Sequence, residues 1–193
     1  MPGGPVSRRI IIAGGVGALC DPGTVTARAD EPTDPARMKL PQSGDWLVSA
    51  GVDAGTTPLK PDDIGRQDVV LAWAFDASKK VPRDGSRLNM VLLMRFDPAT
   101  LGESERKLAT DGVVAFSAIC THQQCTATDW LKSTQVLQCP CHQSQYDLRH
   151  GAKVVGGPAP RPLPALPLKQ SGGVLVVAGP FSARVGGEQQ QGA

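Results

Sequence analysis

The apolar residues of this chain fall into short runs separated by Gly, Pro and Asp: Trp46 to Ala50, Val69 to Phe75, Leu88 to Phe96, Val113 to Ile119, Thr134 to Gln138 and Val174 to Ala178. Their length and β-branched content predict strands, several of them buried on both faces. Between them, Asp76 to Arg87 (with the turn pair Asp84-Gly85) and Asp97 to Gly112 read as connecting insertions. Within the second, Glu103 to Leu108 is long enough for a turn or two of helix. Val154 to Pro167 carries five prolines and reads as a loop, because proline cannot donate to a sheet ladder. Asp30 to Gln42 is charged and proline-rich, which predicts an extended or loosely ordered segment. There is no internal repeat. The pattern is that of an all-β domain over residues 45–185. A loop-rich lobe lies between about 119 and 165, an extended segment (30–44) precedes the domain, and a flexible tail (186–193) follows it.

At 193 residues one domain is the default. Lys+Arg 20 against Asp+Glu 18 leaves a net charge of +2, too balanced for a binder of nucleic acid, which needs a basic face. Gly 22 and Pro 17 favour turns over long helices. Aromatics are few (Trp 3, Tyr 1, Phe 4), so the core must rest on Val, Leu, Ile and Ala. No apolar run reaches the roughly 18 to 20 residues that a membrane-spanning helix requires.

The first 29 residues read as an address rather than as structure. Arg8-Arg9 precedes the apolar stretch Ile10 to Leu19, Asp21-Pro22 breaks it, and Ala27-Arg28-Ala29 offers small residues to a signal peptidase. This matches a secretory leader of twin-arginine type, a route that carries proteins already folded around their cofactors. It predicts a mature start near Asp30 and a periplasmic location, where a disulfide persists. Cys20 leaves with the leader, and Leu19 beside it makes a poor lipoprotein signal. A retained leader would leave the protein membrane-associated.

The remaining cysteines and two of the three histidines fall in two clusters. One is Cys120-Thr121-His122-Gln123-Gln124-Cys125. The other is Cys139-Pro140-Cys141-His142-Gln143-Ser144-Gln145-Tyr146-Asp147. Thiolates and imidazoles together suit zinc or an iron–sulfur centre. A Cys2His2 zinc finger places both cysteines before both histidines, an order this chain lacks. Two thiolates on one iron and two imidazoles on the other form the ligand set of a Rieske centre. His150 reads as a solvated turn residue, and Trp46, Trp73 and Trp130 as core or edge packing. Lys79-Lys80 and Glu103 to Lys107 read as solvated surface.

These clusters resemble the Cys-Thr-His-x-x-Cys and Cys-Pro-Cys-His-x-Ser-x-Tyr-Asp boxes of Rieske iron–sulfur proteins of the cytochrome bc type, over about Val113 to Ala178. The resemblance implies an antiparallel β sandwich or barrel with an inserted loop-rich subdomain that binds a [2Fe-2S] cluster. It implies Cys120 and Cys139 on one iron, His122 and His142 on the other, and a disulfide between Cys125 and Cys141. Ser144 matches the serine whose hydroxyl donates to a bridging sulfide. Tyr146 matches the tyrosine that donates to a cysteine ligand, here Cys120. Both bonds would raise the reduction potential. Gly157-Pro158-Ala159-Pro160 resembles the family's proline loop, which covers the cluster from a third side.

Two features depart from that family. Gln123 and Gln124 stand where Leu and Gly are usual, which makes the tip more polar and weakens the case for docking into a quinone pocket. No transmembrane anchor and hinge follow the leader. The wider pattern (Asp97-Pro98, Gly112 to Cys120, the proline loop, Val174 to Gly179) is similar to small exported Rieske subunits such as that of arsenite oxidase. The function implied is periplasmic one-electron transfer by an electron-transfer subunit, which is not a catalyst by itself. As the small subunit or partner of a catalytic redox enzyme, it would pass electrons to a c-type cytochrome. The alternative is a quinol-oxidising Rieske subunit of a cytochrome bc complex. Rieske ferredoxins and oxygenase domains ordinarily lack the second cysteine pair, so Cys125 and Cys141 argue against them.

Overall fold

A computed structural model describes residues 34–51 and 55–187. The expected leader, Cys20 and the end of the tail lie outside the described residues. The apolar runs become strands β1 (Trp46–Ser49), β2 (Val70–Asp76), β4 (Val91–Arg95), β5 (Val113–Ser117), β7 (Val136–Gln138) and β11 (Val174–Val177). Five short strands join them: β3 (Val81–Pro82), β6 (Asp129–Leu131), β8 (Gln145–Asp147), β9 (Lys153–Gly156) and β10 (Leu168–Ser171).

The larger sheet runs β10-β11-β1-β2-β4-β5, with β3 paired to β2, and every pairing is antiparallel. Its far edge is not left bare. Beyond β5, the Ser117 amide donates to the Pro164 carbonyl and the Leu166 amide to the Ala115 carbonyl, both at 2.8 Å. The chain then enters β10 at Leu168, so residues 164–168 join the two edges and the sheet curls into a barrel. Prolines 162, 164 and 167 lack an N–H, which confines this closure to isolated bonds rather than a full strand.

Alternate residues of β4 and β5 serve two different cores, which is why both strands read as unbroken apolar runs. Val91 and Leu93, Val113 and Ala115 face the barrel interior with Leu47, Ala72, Ala74, Leu166, Leu175 and Val177. Leu92, Met94, Val114 and Phe116 face outward, and there they meet Leu137, Cys139, Tyr146, Leu148 and Leu163 of the lobe. The lobe is a second antiparallel sheet, β6-β7-β8-β9, fastened to the barrel by Phe96, whose ring meets Trp130 edge-on at 5.7 Å.

Three segments differ from their expected form. Residues 34–44 begin with helix α1 (Pro35–Met38), capped by the Asp34 side chain. Two buried polar side chains hold it in place: Asn89, whose Nδ2 donates to the Arg37 and Lys39 carbonyls at 3.0 and 2.9 Å, and Arg83, a guanidinium that must find acceptors. It donates to Asp45 at 2.5 and 2.9 Å, to Asp76 at 3.2 Å and to the Ala36 carbonyl at 3.1 Å, and so draws the segment onto the barrel. Of the expected loop 154–167, the first residues pair as the edge strand β9, and the loop starts only where the prolines do, at Pro158. In the expected flexible tail, Gly186 and Gly187 are buried. Glu103–Leu108 is helix α2, as its sequence suggests. Among the described residues no helix is long and apolar enough to cross a membrane.

Candidate metal centre

Two loops at one end of the lobe carry the cysteines and histidines, and they are the same turn built twice. In the first, after β5, the Cys120 amide donates to the Cys125 carbonyl at 2.8 Å and the Gln124 amide to the Cys120 carbonyl at 3.1 Å. In the second, between β7 and β8, the Cys139 amide donates to the Ser144 carbonyl at 2.9 Å and the Gln143 amide to the Cys139 carbonyl at 3.0 Å. The fifth residue of each loop is left-handed: Gln124 at φ 59° and Gln143 at φ 57°. That conformation is why glycine is the easy residue at position 124, and this chain places glutamine at both positions.

A disulfide between Cys125 and Cys141, with Cα atoms 6.5 Å apart, ties the loops together. Cys120 and Cys139 are free thiols, each 1% exposed. Beside them the rings of His122 and His142 meet edge-on with centroids 4.7 Å apart. His122 is half-buried and His142 exposed, so one imidazole of the pair reaches solvent.

The surroundings of the two sulfurs are asymmetric. Tyr146 is fully buried, and its hydroxyl lies 3.2 Å from Cys120 Sγ. Burial, reinforced by the Cys120 thiol, pushes the Tyr146 hydroxyl far above its ordinary value. It therefore stays protonated and available as a donor. Burial also pushes the Cys139 thiol up, against backbone N–H groups of Cys141 and His142 that favour the thiolate. Thr121, fully buried, donates from its hydroxyl to the Arg161 carbonyl at 2.7 Å, fixing the first loop to the segment that follows the proline loop. Thr121 lies inside the first cysteine cluster, but nothing in the sequence around Arg161 marks a residue whose partner lies 40 positions away.

Gly157 presses the proline loop onto the second loop. A Cβ there would lie 2.5 Å from Ser144 Cα and 2.6 Å from the Gln143 carbonyl oxygen, so only glycine fits. Ala159 is buried in the core that the lobe shares with the barrel, while Pro158 and Pro160 face solvent. His150 lies away from both loops, with Nδ1 2.8 Å from Asp147 Oδ2 on an exposed turn.

Residues 90–167 match the family model for the Rieske [2Fe-2S] domain. Over 154 residues the chain is 31% identical to the cytochrome bc1 complex Rieske iron-sulfur subunit of Streptomyces lividans, an alignment covering 78% of this chain and 89% of that protein. The chain belongs to the Rieske iron–sulfur family. It is also 36% identical over 145 residues to the corresponding subunit of Mycobacterium bovis, covering 66% of this chain and 34% of that one. A putative respiratory nitrate reductase subunit Rieske of Haloferax mediterranei is 36% identical over 107 residues, covering 54% of this chain and 48% of its own. The chain thus spans less than half the length of these last two relatives.

A Rieske domain carries a [2Fe-2S] cluster and transfers electrons, and the residues present here fit that group. Two buried free thiols and two neighbouring imidazoles provide the mixed donor set. Among the described residues, the buried polar atoms without a hydrogen-bond partner are Trp130 Nε1 and Arg149 Nε, outside the ligand loops, and the Ser144 hydroxyl and His122 Nδ1, inside them. Such atoms are rare and need an explanation, and for the two inside the loops a metal and its sulfides would supply one.

Proposed function

We propose that this chain is the Rieske subunit of a quinol-oxidising complex of cytochrome bc type. Cys120 and Cys139 hold one iron, His122 and His142 the other. The observation that carries the reading is the imidazole pair at the tip of the lobe, with His142 exposed beside half-buried His122. The relationship to a bc1 Rieske subunit along most of that subunit's length supports it. When bound, the [2Fe-2S] group accepts and returns one electron.

The chain's own residues do the rest. His142 offers a ring nitrogen at the surface, where it can bond a quinol hydroxyl and exchange its proton. Tyr146 donates to the Cys120 sulfur, and the Ser144 hydroxyl, without a partner among the described residues, would donate to the cluster when it is bound. Both bonds favour the more electron-rich state and so raise the potential. The disulfide and the Gly157 contact hold the two loops in register and keep water from the thiolates.

A second reading is favoured by Gln123, an exposed polar residue at the tip where an apolar one would suit a quinone pocket. It is an exported subunit that hands electrons from a catalytic partner to a c-type cytochrome in the periplasm. An EPR-monitored redox titration at several pH values, with co-purification from membranes, tests both readings. A Rieske signal with a pH-dependent potential in the upper part of the roughly −150 to +300 mV range, in a fraction that retains membrane cytochromes, is the expected result. The same signal in a soluble fraction with a catalytic partner favours the second reading. A low potential, flat around neutral pH, overturns the first.

A further inference from the structure

The two ligand loops are each met by a glycine from elsewhere in the chain, and only one of these contacts belongs to the proline loop. Gly157 bears on the second loop. The first is met by the chain end: after β11 the backbone returns to the tip, and Val185, Gly186 and Gly187 are all buried there. A Cβ on Gly187 would overlap the His122 carbonyl oxygen and lie 3.2 Å from that of Thr121. Gly186 is left-handed at φ +77°, and a Cβ there would lie 3.3 Å from Cγ and Cδ of the Gln124 side chain. The tail therefore lies directly on the backbone of residues 121–124, and its two glycines leave room for His122 and Gln124.

Arg161 fastens this contact from both sides. Its guanidinium donates to the Arg184 carbonyl at 2.8 Å and to the Gly186 carbonyl, while its own carbonyl accepts from the Thr121 hydroxyl at 2.7 Å. Arg87 adds a bond from its guanidinium to the Gln124 carbonyl. The His122 Nδ1, which has no hydrogen-bond partner among the described residues, is left for the metal, and the contact bears on the backbone that carries the ring.

We infer that Val185–Gly187 is a clamp on the His122 loop, with Arg161 as its positioning residue. The clamp compensates for glutamine in the left-handed position 124. The inference rests on His122 as a cluster ligand, as proposed above. The clamp holds the first loop as the proline loop holds the second, so the two imidazoles are fixed from opposite parts of the chain.

Hydrogen exchange and EPR on the cluster-loaded full chain test this, with Arg161→Gln, Arg161→Lys and Gly187→Ala as variants. In Arg161→Gln the Cys120 and Gln124 amides should exchange about tenfold faster or more, as expected for lost bonds from a charged donor. The Cys139 and Gln143 amides of the second loop are the internal reference and should not change. The Rieske EPR line shape should shift, and Arg161→Lys should recover part of both effects. Gly187→Ala, which leaves the guanidinium intact, should act in the same direction, and it decides the matter alone if Arg161→Gln does not load. Unchanged first-loop exchange and line shape in Gly187→Ala would overturn the clamp. The ligand reading fails separately, through a His122→Ala protein that keeps its Rieske spectrum.

Discussion

In the barrel, β2 has seven residues and β4 and β5 five each, whereas β6, β7 and β8 of the lobe have three each. The barrel fills its interior with Leu47, Leu93, Leu175 and their neighbours, and its shape follows from apolar burial. The lobe packs Leu137, Leu148 and Leu163 on the barrel's outer face and sets among them Cys120, Cys139 and Tyr146, groups aimed at a cofactor. A disulfide ties its two ligand loops together. A sheet of three- and four-residue strands has too little core to stand alone, so packing on the barrel, a disulfide and metal bonds supply what its own burial does not. One half of the molecule is a scaffold whatever it carries. The other half packs on that scaffold through a shared apolar core and is expected to gain further stability from the group it binds.

The largest test of this contrast is His142→Ala, which should abolish the Rieske EPR signal while the far-ultraviolet circular dichroism keeps the barrel's strand signature. Loss of both together would mean that the two halves are one cooperative unit. Leu93→Ala should do the opposite. It should cost about 2 to 5 kcal/mol of global stability in denaturant titration and leave the visible and EPR spectra of the loaded protein unchanged. Removing the disulfide by Cys125→Ser with Cys141→Ser should cost about 3 kcal/mol, seen as cluster loss on heating before the barrel melts.

Tyr146→Phe should keep the cluster and lower its potential by tens of millivolts, since a net hydrogen bond of about 1 kcal/mol corresponds to somewhat less than the 59 mV of a tenfold one-electron change. An unchanged potential would show that the hydroxyl does not act on the Cys120 sulfur. The smallest effect is expected at Asp76. The Ser78 hydroxyl, with the Lys79 amide and Arg83, holds its carboxyl below the usual aspartate value. Such a group stabilises the fold above the ordinary aspartate pKa, and its contribution fades as pH falls through the lowered one. Asp76→Asn should therefore flatten the acid limb of the barrel's stability curve and leave the neutral spectrum of the lobe untouched.

The same contrast explains what the sequence made legible. Strands β2, β4, β5 and β11 are apolar runs because they are buried, and such runs show without a structure. Strand β10 reads Leu168-Lys169-Gln170-Ser171 with only its leucine buried, and β6 and β8 are too short to show a period. The thiols and imidazoles were legible because a cluster needs fixed residue types at fixed offsets, and so was Ser144, whose hydroxyl has no partner among the described residues. The turn of helix at Pro35–Met38 was not, since it depends on Arg83 and Asn89, far along the chain. Nor were Arg161, Gly186 and Gly187, which act on residues 121–124 through backbone carbonyls that any side chain could have provided.

The pairing of β1 with β11 sets Trp46 opposite Val176, so the barrel cannot close until nearly the whole described chain has been synthesised. The lobe's ladders lie between Asp129 and Gly156 and need only short loop closures, which are the faster kind. On a translating ribosome the order of assembly is therefore inverted relative to the hierarchy of support. The lobe, once β4 and β5 have emerged to pack against it, is expected to take shape before the barrel is sealed by β11.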